Sequence, residues 1–235
     1  MRQRVRFAKR GKVRFLSHRD LARVWERALR RAGIRVSYSE GFSPRPRLSF
    51  GLALSTGYES LGEYLDIDLA DDLEPEELVA LVNPSLPTGM EAQVAIRIPP
   101  GTDSLQQAVT SSSWEIEVTG VDGDRVEHAV AQALAAESLP ILVERKGSET
   151  DLDARPAILA LEARGSVLVA ELATHPRSLR PAELLRALDP TWTAGSVLRT
   201  NQWTSVDGAR CEPIPFGDLG ASGATSTPHA EARAS

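Results

Sequence analysis

Residues 17–33, SHRDLARVWERALRRAG, predict the first helix of the fold. Ser17 followed three residues later by Asp20 is a capping pattern, so the helix is expected to begin at residue 18. Gly33 is expected to end it. Apolar side chains recur at helical spacing on one face: Leu21, Val24, Trp25, Ala28, Leu29 and Ala32. The pattern therefore predicts an amphipathic helix over 18–32 whose other side carries arginines.

The segments on either side of this helix have strand patterns. Residues 2–8, RQRVRFA, alternate apolar and basic side chains, and residues 34–38, IRVSY, predict a second strand. The same criteria predict a strand at 61–69, a helix at 74–82 and a strand at 90–98. This β-α-β-β-α-β order indicates a ferredoxin-like unit, a four-stranded antiparallel sheet with two helices on one face.

The second half repeats the order with one additional strand. Strands are predicted at 114–119, 141–146, 157–163, 167–173 and 195–204, and helices at 125–136 and 181–188. We therefore predict an α+β protein of two tandem ferredoxin-like (βαββαβ) units with antiparallel sheets: a basic N-terminal domain over 1–101 and a C-terminal domain over 111–204, joined by the polar segment 102–112. Residues 205–235 are small and polar and predict a disordered tail.

Composition limits the class of protein. Apolar residues make up 42% and charged residues 25% of the 235, as in ordinary globular domains. The single cysteine, Cys211, excludes a disulfide framework and a multi-cysteine metal site. No apolar run approaches the roughly 18 residues of a membrane-spanning helix, and the basic start has no apolar core behind it, unlike a secretory signal. The expected location is the cytoplasm.

Charge is distributed unevenly along the chain. The net charge is −5, but residues 1–50 carry 15 Lys and Arg against 3 Asp and Glu, a net of +12. The remaining residues have 12 basic and 29 acidic side chains, a net of −17. A concentrated positive block attracts phosphates whatever the global charge, unless it is a solvated surface or is neutralised by the acidic remainder.

Arginines of the first unit are the candidate RNA-binding residues. Those in the helix recur every four residues along one side, and the proline-containing loop at 40–50, EGFSPRPRLSF, adds two more. Guanidinium planes and aromatic rings suit a phosphate backbone with unstacked bases. We expect Phe42 and Phe50 to anchor this loop; alternatively, both are core residues and the prolines form a rigid turn. The candidates are Arg19, Arg23, Arg27, Arg30, Arg31, Phe42, Arg45 and Arg47.

His18 and three carboxylates are the other candidates for chemistry. His18 follows the helix cap, where a histidine acts as a general base on a ribose 2′-hydroxyl or hydrogen-bonds to the neighbouring loop. In the strand at 61–69, Asp66 and Asp68 share one sheet face and Glu63 takes the other. We interpret them as ion-pair partners of arginines rather than as cation ligands. No metal site and no cofactor are predicted.

Four motifs of the first unit resemble a known family. They are RFLSHRDL at 14–21, ERALRRAG at 26–33, YSEGFSPRPRLSF at 38–50 and SLGEYLD at 60–66. In these motifs the chain resembles the bacterial radical-SAM-associated (radical-SAM-linked) proteins, a domain of unknown function. Weaker similarity covers 143–156 and 197–200, and Arg45 stands where the family often has histidine. The motif or structural positions are Ser17, His18, Asp20, Tyr38, Gly41, Pro44, Pro46, Ser49, Glu63, Asp66, Arg145, Asp151, Arg155 and Arg199.

The resemblance implies a radical-SAM enzyme as partner, encoded as a separate chain. This chain lacks the C-x-x-x-C-x-x-C triplet that such an enzyme uses to hold its iron–sulfur cluster. We therefore predict a non-catalytic RNA-binding or substrate-presenting accessory protein for RNA maturation or modification. Two alternatives stay open: a metal-independent endoribonuclease acting through His18, and a protein–protein adaptor with no RNA ligand, whose arginines meet an acidic partner.

Overall fold

The computed structural model describes residues 1–145 and 148–214, which form eleven strands and five helices. The strands are β1 (Arg2–Lys9), β2 (Leu48–Phe50), β3 (Glu59–Asp68), β4 (Met90–Arg97), β5 (Val109–Val118), β6 (Pro140–Arg145), β7 (Ser148–Asp153), β8 (Ile158–Arg164), β9 (Val167–Ala173), β10 (Ala194–Val206) and β11 (Ala209–Cys211). The helices are α1 (His18–Arg31), α2 (Pro75–Val82), α3 (Leu105–Ala108), α4 (Gly123–Ala135) and α5 (Pro181–Leu188). Short 3-10 turns occupy Gly11–Phe15, Asn83–Ser85 and Arg155–Ala157.

Helix α1 confirms the capping and periodicity argument. The Ser17 hydroxyl accepts from the backbone N–H of Asp20 at 3.2 Å, which satisfies one of the free donors of the first turn. Four side chains of the apolar face are buried: Leu21, Trp25, Ala28 and Leu29. Gly33, with φ of +70°, follows the last turn in the left-handed conformation that ends helices. The helix therefore packs its apolar face on β1 and β3 and turns its arginines outward.

The first unit has the strand order β4-β1-β3 with β2 beside β3, which is the ferredoxin-like order. The strand predicted at 34–38 is wrong. Val36 and Tyr38 form only isolated bridges, and the three-residue β2 takes the place beside β3. The reason is competition for one strand edge: β10 pairs with the Glu59–Ser60 end of β3, and β2 shares the rest of that edge with residues 35–37.

The second unit has the same arrangement, with β10-β5-β9-β8 as its strand order. The hairpin of β6 and β7 is an insertion outside that sheet, and β7 was not predicted. Strand β10 also runs parallel to β3, so both units share one mostly antiparallel nine-stranded sheet. The approach is close at Gly62, where an added Cβ would lie 3.1 Å from the Thr200 carbonyl oxygen. The predicted α+β class with ferredoxin-like strand order is confirmed.

The connecting segment and the first part of the expected tail contain ordered elements. The polar segment 102–112 contains α3 and the beginning of β5. Residues 205–214, assigned to a disordered tail, continue β10, form β11 and end with Ile214 fully buried. Composition did not predict these elements, because pairing between strands stabilises them by satisfying their backbone groups. In addition, the Thr204 hydroxyl donates a hydrogen bond to the Cys211 carbonyl. Residues 215–235 lie outside the described part of the chain.

Each unit has its own apolar cluster beneath its helices. In the first, Trp25 is fully buried edge-to-face against Phe7, with ring centroids 5.1 Å apart. The second cluster lies under α4 and α5. On the opposite face of the first sheet, Leu105 and Ile214 cover Tyr64, whereas the outward surface of α1 is exposed. Within the described residues, no helix is long and apolar enough to cross a bilayer.

Candidate nucleic-acid interface

The arginines of β1 form salt bridges with carboxylates. Alternation along β1 turns Val5 and Phe7 toward α1 and turns the arginines to the other face. There Arg4 lies directly across from Asp66 and makes a bidentate pair, with Nε–Oδ1 2.7 Å and Nη2–Oδ2 3.0 Å, at side-chain exposures of 5% and 3%. Arg2 makes a single contact with Asp68, Nε–Oδ1 2.7 Å, and its side chain is 42% exposed.

A second buried ion pair joins the two units. Glu63 of β3 accepts from Arg199 of β10, with nitrogen–oxygen distances of 2.6–3.0 Å, and the Arg199 side chain is only 1% exposed. Arg199 also donates to the Leu52 carbonyl and lies over the Trp114 ring. Thus Glu63 and Asp66 both pair with arginines on opposite sheet faces, and they hold the strands rather than face a ligand.

Lys9 lies beside this junction and organises the entrance to α1. Its ammonium donates to the carbonyls of Arg14 and Leu16 at 3.3 and 3.1 Å. Burial lowers the pKa of Lys9, an effect partly opposed by the carboxylate of Glu63. The side chain therefore fixes the turn that leads to Ser17.

The arginines of α1 differ from the buried Arg4 of β1 because they face solvent. All five are exposed. Arg23 pairs with Asp20 of its own helix at 3.2 Å, and Arg27 donates to the Arg23 carbonyl. No salt bridge connects the other helix arginines to any residue that the structure describes: Arg19, Arg27, Arg30 and Arg31. This surface of α1, called here the arginine face and defined by Arg19, Arg23, Arg27, Arg30 and Arg31, is a positive stripe in which, among the described residues, Arg23 alone has a salt bridge.

The loop after α1 adjoins the arginine face. A groove of about 370 Å³ separates the end of α1 from this loop, with Arg30 on one wall and Tyr38 and Pro46 on the other. Arg45 is exposed, whereas Arg47 reaches Asp68 at 3.9 Å. Asp68 is also the partner of Arg2, on the sheet face turned away from α1, so the structure does not bring Arg47 to the arginine face, and of residues 38–50 only Tyr38 and Pro46 line the groove.

Phe42 is a correction to the expected anchoring of this loop. Its side chain is fully exposed, so it neither anchors the loop nor belongs to the core. Gly41, at φ of +115°, turns the chain at the loop tip and carries Phe42 away from the sheet. Phe50 behaves as expected and packs against the first core.

His18 begins α1 and is exposed. Its ring lies edge-to-face on Phe50, with centroids 5.2 Å apart and an interplanar angle of 76°. Its imidazole makes no hydrogen bond within 1–145 and 148–214. Nearby, the Ser17 hydroxyl donates to Asp20 at 2.7 Å and lowers the pKa of that carboxyl, with Arg23 contributing. The polar interactions at this helix start thus serve the cap, not His18.

One protein family matches most of the chain. A family described as "Uncharacterized protein conserved in bacteria (DUF2344)" matches residues 2–181, which include α1, the following loop and the first four strands of the sheet. The chain belongs to this family. No curated protein matches it. The matched residues include the arginine face and its flanking loop, but the family description names no activity.

The motif residues of the second half of the chain lie apart from the arginine face. Asp153 accepts from the backbone N–H groups of Leu139 and Arg155, which lowers its pKa. Arg155 donates to the carbonyls of Leu134, Ala136 and Ile158, so it closes the end of α4. Asp151 is exposed on β7, and the side chain of Arg145 on β6 lies outside the described residues.

Two residues that line the groove were not predicted from the sequence as site residues. Glu26 and Arg35 line the groove together with Tyr38. Glu26 lies in the motif at 26–33, but neither a single acidic residue among arginines nor a basic residue after a helix predicts a groove. Among the described residues there is no group of three or more His, Cys, Asp or Glu side chains suited to a metal ion.

Proposed function

We propose that this protein is a non-catalytic RNA-binding or substrate-presenting accessory protein that works beside a radical-SAM enzyme in RNA maturation or modification. The observation that carries the proposal is the difference between its arginines: those of β1 form salt bridges with carboxylates of distant segments, whereas four of the five on the arginine face form none with a described residue and Arg23 pairs only within its own helix. A positive surface without internal partners is available to a polyanion.

Spacing along α1 suits a nucleic-acid backbone. Residues four apart on a helix are separated by about 6 Å along its axis, so Arg19, Arg23, Arg27 and Arg31 present a row of guanidinium groups. Arginine binds phosphate oxygens in a bidentate manner and also stacks on bases. Tyr38, which lines the groove with Arg30, and Phe42 at the loop tip are exposed and offer rings to unstacked bases, which is how single-stranded RNA is usually recognised.

The accessory role is favoured over catalysis by the surroundings of His18. A general base is oriented by a hydrogen-bonded partner, and the contact of His18 within the described residues is the edge of Phe50. The radical-SAM partner rests on the resemblance of the motifs at 14–21, 26–33, 38–50 and 60–66. Since this chain has one cysteine, the cluster chemistry would come from that partner.

An RNA titration at two salt concentrations tests the proposal. We expect the full chain to bind single-stranded and hairpin RNA at about 50 mM salt and to lose affinity steeply by about 200 mM. The Arg27→Gln/Arg31→Gln variant should bind about tenfold more weakly and reduce the salt slope by about 2, one for each phosphate contact removed.

Arg186→Gln is the matched control. Arg186 is an exposed helical arginine of α5 that donates to the carbonyl four residues earlier, as Arg27 does in α1. Its replacement should leave RNA affinity unchanged. Absence of binding at low salt, or an equal loss in the control, contradicts the proposal and favours the adaptor alternative.

A further inference from the structure

The groove beside the arginine face has the form of a small binding site. Its floor is apolar, because Leu29 and Ile34 are buried beneath it, and its volume is about 370 Å³. Tyr38 and Pro46 form one wall. A cleft of about this size, with an apolar floor and a few polar groups at its rim, is typical of sites for small planar ligands.

Backbone hydrogen bonds hold the wall of the groove in place. Tyr38 and Pro46 face each other across an isolated bridge. On either side of it, the N–H of Ser39 donates to the Arg45 carbonyl and the N–H of Arg47 donates to the Ser37 carbonyl, both at 2.9 Å. The Tyr38 ring is 51% exposed. It is therefore a preorganised aromatic surface with one side open to a ligand, as in proteins that stack bases on tyrosine.

The polar groups at the rim select for one base. Glu26 brings a carboxylate into a positive surface, yet it makes no salt bridge to any described residue, although Arg30 lies one turn along α1. A carboxylate only accepts hydrogen bonds. Of the four bases, guanine alone presents two adjacent donors, N1–H and the N2 amine, on its Watson–Crick edge. In the other three bases an acceptor adjoins the donor and would repel the carboxylate.

The two arginines at the rim have different roles. Arg35 is bound in a bidentate pair to Asp71, with Nε–Oδ2 2.5 Å and Nη2–Oδ1 2.7 Å, so its charge is compensated. Arg30 has no salt bridge to a described residue and belongs to the arginine face. A base lying in the groove would thus place its own phosphate beside Arg30, at the end of the row of guanidinium groups.

We propose that this groove holds an unstacked guanine of a bound RNA strand. Tyr38 stacks on the base, Glu26 accepts from its Watson–Crick edge, and Arg30 contacts the adjacent phosphate. This inference rests on the proposed RNA-binding function and adds the base class that the site selects.

Fluorescence anisotropy with labelled oligouridine decamers tests the site. The central nucleotide is guanine, inosine, adenine, cytosine or uracil, and the protein is the full chain. We expect about tenfold tighter binding of the guanine decamer than of the others, with inosine intermediate because it lacks the N2 amine. Glu26→Gln should abolish the difference between guanine and inosine. Tyr38→Ala should weaken the guanine decamer about tenfold, and Tyr38→Phe should restore it because the stacking surface is kept.

Glu127→Gln, at an exposed glutamate of α4, is the control and should bind all five decamers as the unmodified chain does. Equal binding of all five decamers by the unmodified chain, with affinity still lost in Arg27→Gln/Arg31→Gln, overturns the guanine site and leaves RNA binding intact. If no decamer and no longer RNA binds at low salt, the proposed function itself fails and this inference with it.

Discussion

Strand β1 and helix α1 are both rich in arginine and lie within the first 31 residues, but the fold treats them in opposite ways. Across from β1 runs β3, whose Asp66 and Asp68 meet Arg4 and Arg2. Beside α1 lie Pro84, Leu86 and Pro87, which line a small cleft with Arg27 and Arg31 and carry no charge. The element that lies next to the arginines, and not their number, therefore decides which positive charges remain available to a ligand.

The two sets also differ in what they contribute to stability. A buried pair has lost its hydration, so removing one partner leaves an uncompensated charge in an apolar setting. An exposed arginine keeps its water, and its replacement disturbs little. Variants of the two sets should therefore differ in which measurement they change: β1 variants should change the free energy of unfolding, and α1 variants should change the affinity for RNA.

The largest expected effect is at the buried pair of β1 and β3. Asp66→Ala leaves Arg4 buried without its carboxylate and should lower the free energy of unfolding by about 3–5 kcal/mol, measured by urea denaturation. The double variant Asp66→Ala/Arg4→Met should recover much of the loss, since it removes the isolated charge. A loss below about 1 kcal/mol in the single variant would contradict the distinction between the two arginine sets.

The cap of α1 should have an intermediate effect. Ser17→Ala removes the acceptor for the Asp20 N–H and should cost about 1 kcal/mol of unfolding free energy. Ser104→Ala, at the start of the four-residue α3, where the side chain makes no capping hydrogen bond, is the control and should cost less. If the two variants lose the same stability, the Ser17 cap is not what holds α1.

The same cap predicts a pH dependence. In the folded protein the Ser17 hydroxyl and Arg23 lower the pKa of Asp20 below its unfolded value. A depressed carboxyl pKa contributes stability that is present above the unfolded pKa of about 4 and is lost as the pH falls through the folded pKa. Asp20→Asn should therefore reduce the loss of stability below about pH 4 in urea titrations. An unchanged acid profile would show that this carboxylate is not coupled to folding.

A smaller effect is expected at the exposed pair of Arg35 and Asp71. Arg35→Ala should cost no more than about 1 kcal/mol, because both side chains are accessible to water and salt screens their attraction. Denaturation in low and high salt measures this, and the difference from the unmodified chain should shrink at high salt. A cost as large as that of Asp66→Ala would place Arg35 with the buried set.

The smallest change in stability is expected on the arginine face. Arg27→Gln keeps a good helix former at an exposed position and should change the free energy of unfolding by no more than about 0.5 kcal/mol. In the same preparation, RNA affinity should fall. A destabilisation above about 1 kcal/mol would mean that Arg27 supports the fold, and weaker binding would then no longer indicate a contact with RNA.

Periodicity predicted most of the elements because their burial follows local patterns. Helix α1 buries the face that the sequence marks with regular apolar spacing, β3 alternates in sequence but is buried on both faces, and both halves kept the ferredoxin-like strand order. The errors occur where distant segments compete or cooperate. Residues 34–38 share the edge of β3 with β2 and β10, and residues 205–214 are ordered by pairing with β10 and by contacts with the first unit.

The candidate site was predicted in part for the same reason. The arginines of α1 follow from helical spacing, and so does their exposure opposite the apolar face. Phe42 was misjudged because an aromatic residue in a loop carries no sign of which way the loop tip turns. Glu26 was overlooked because its importance depends on Tyr38, twelve residues later, which closes the same groove.

Local sequence was enough to predict most helices and strands, the cap of α1 and the positive character of the opening segment, since these depend on neighbours within one turn or one strand. Which arginines are paired with carboxylates follows from the three-dimensional arrangement, because it depends on whether a carboxylate from a remote strand lies opposite. Arg4 finds Asp66 across the sheet, 62 residues away, and no described carboxylate forms a salt bridge with Arg27. Long-range pairing of charges is therefore what separates the part of this chain that builds the sheet from the part that we propose meets RNA.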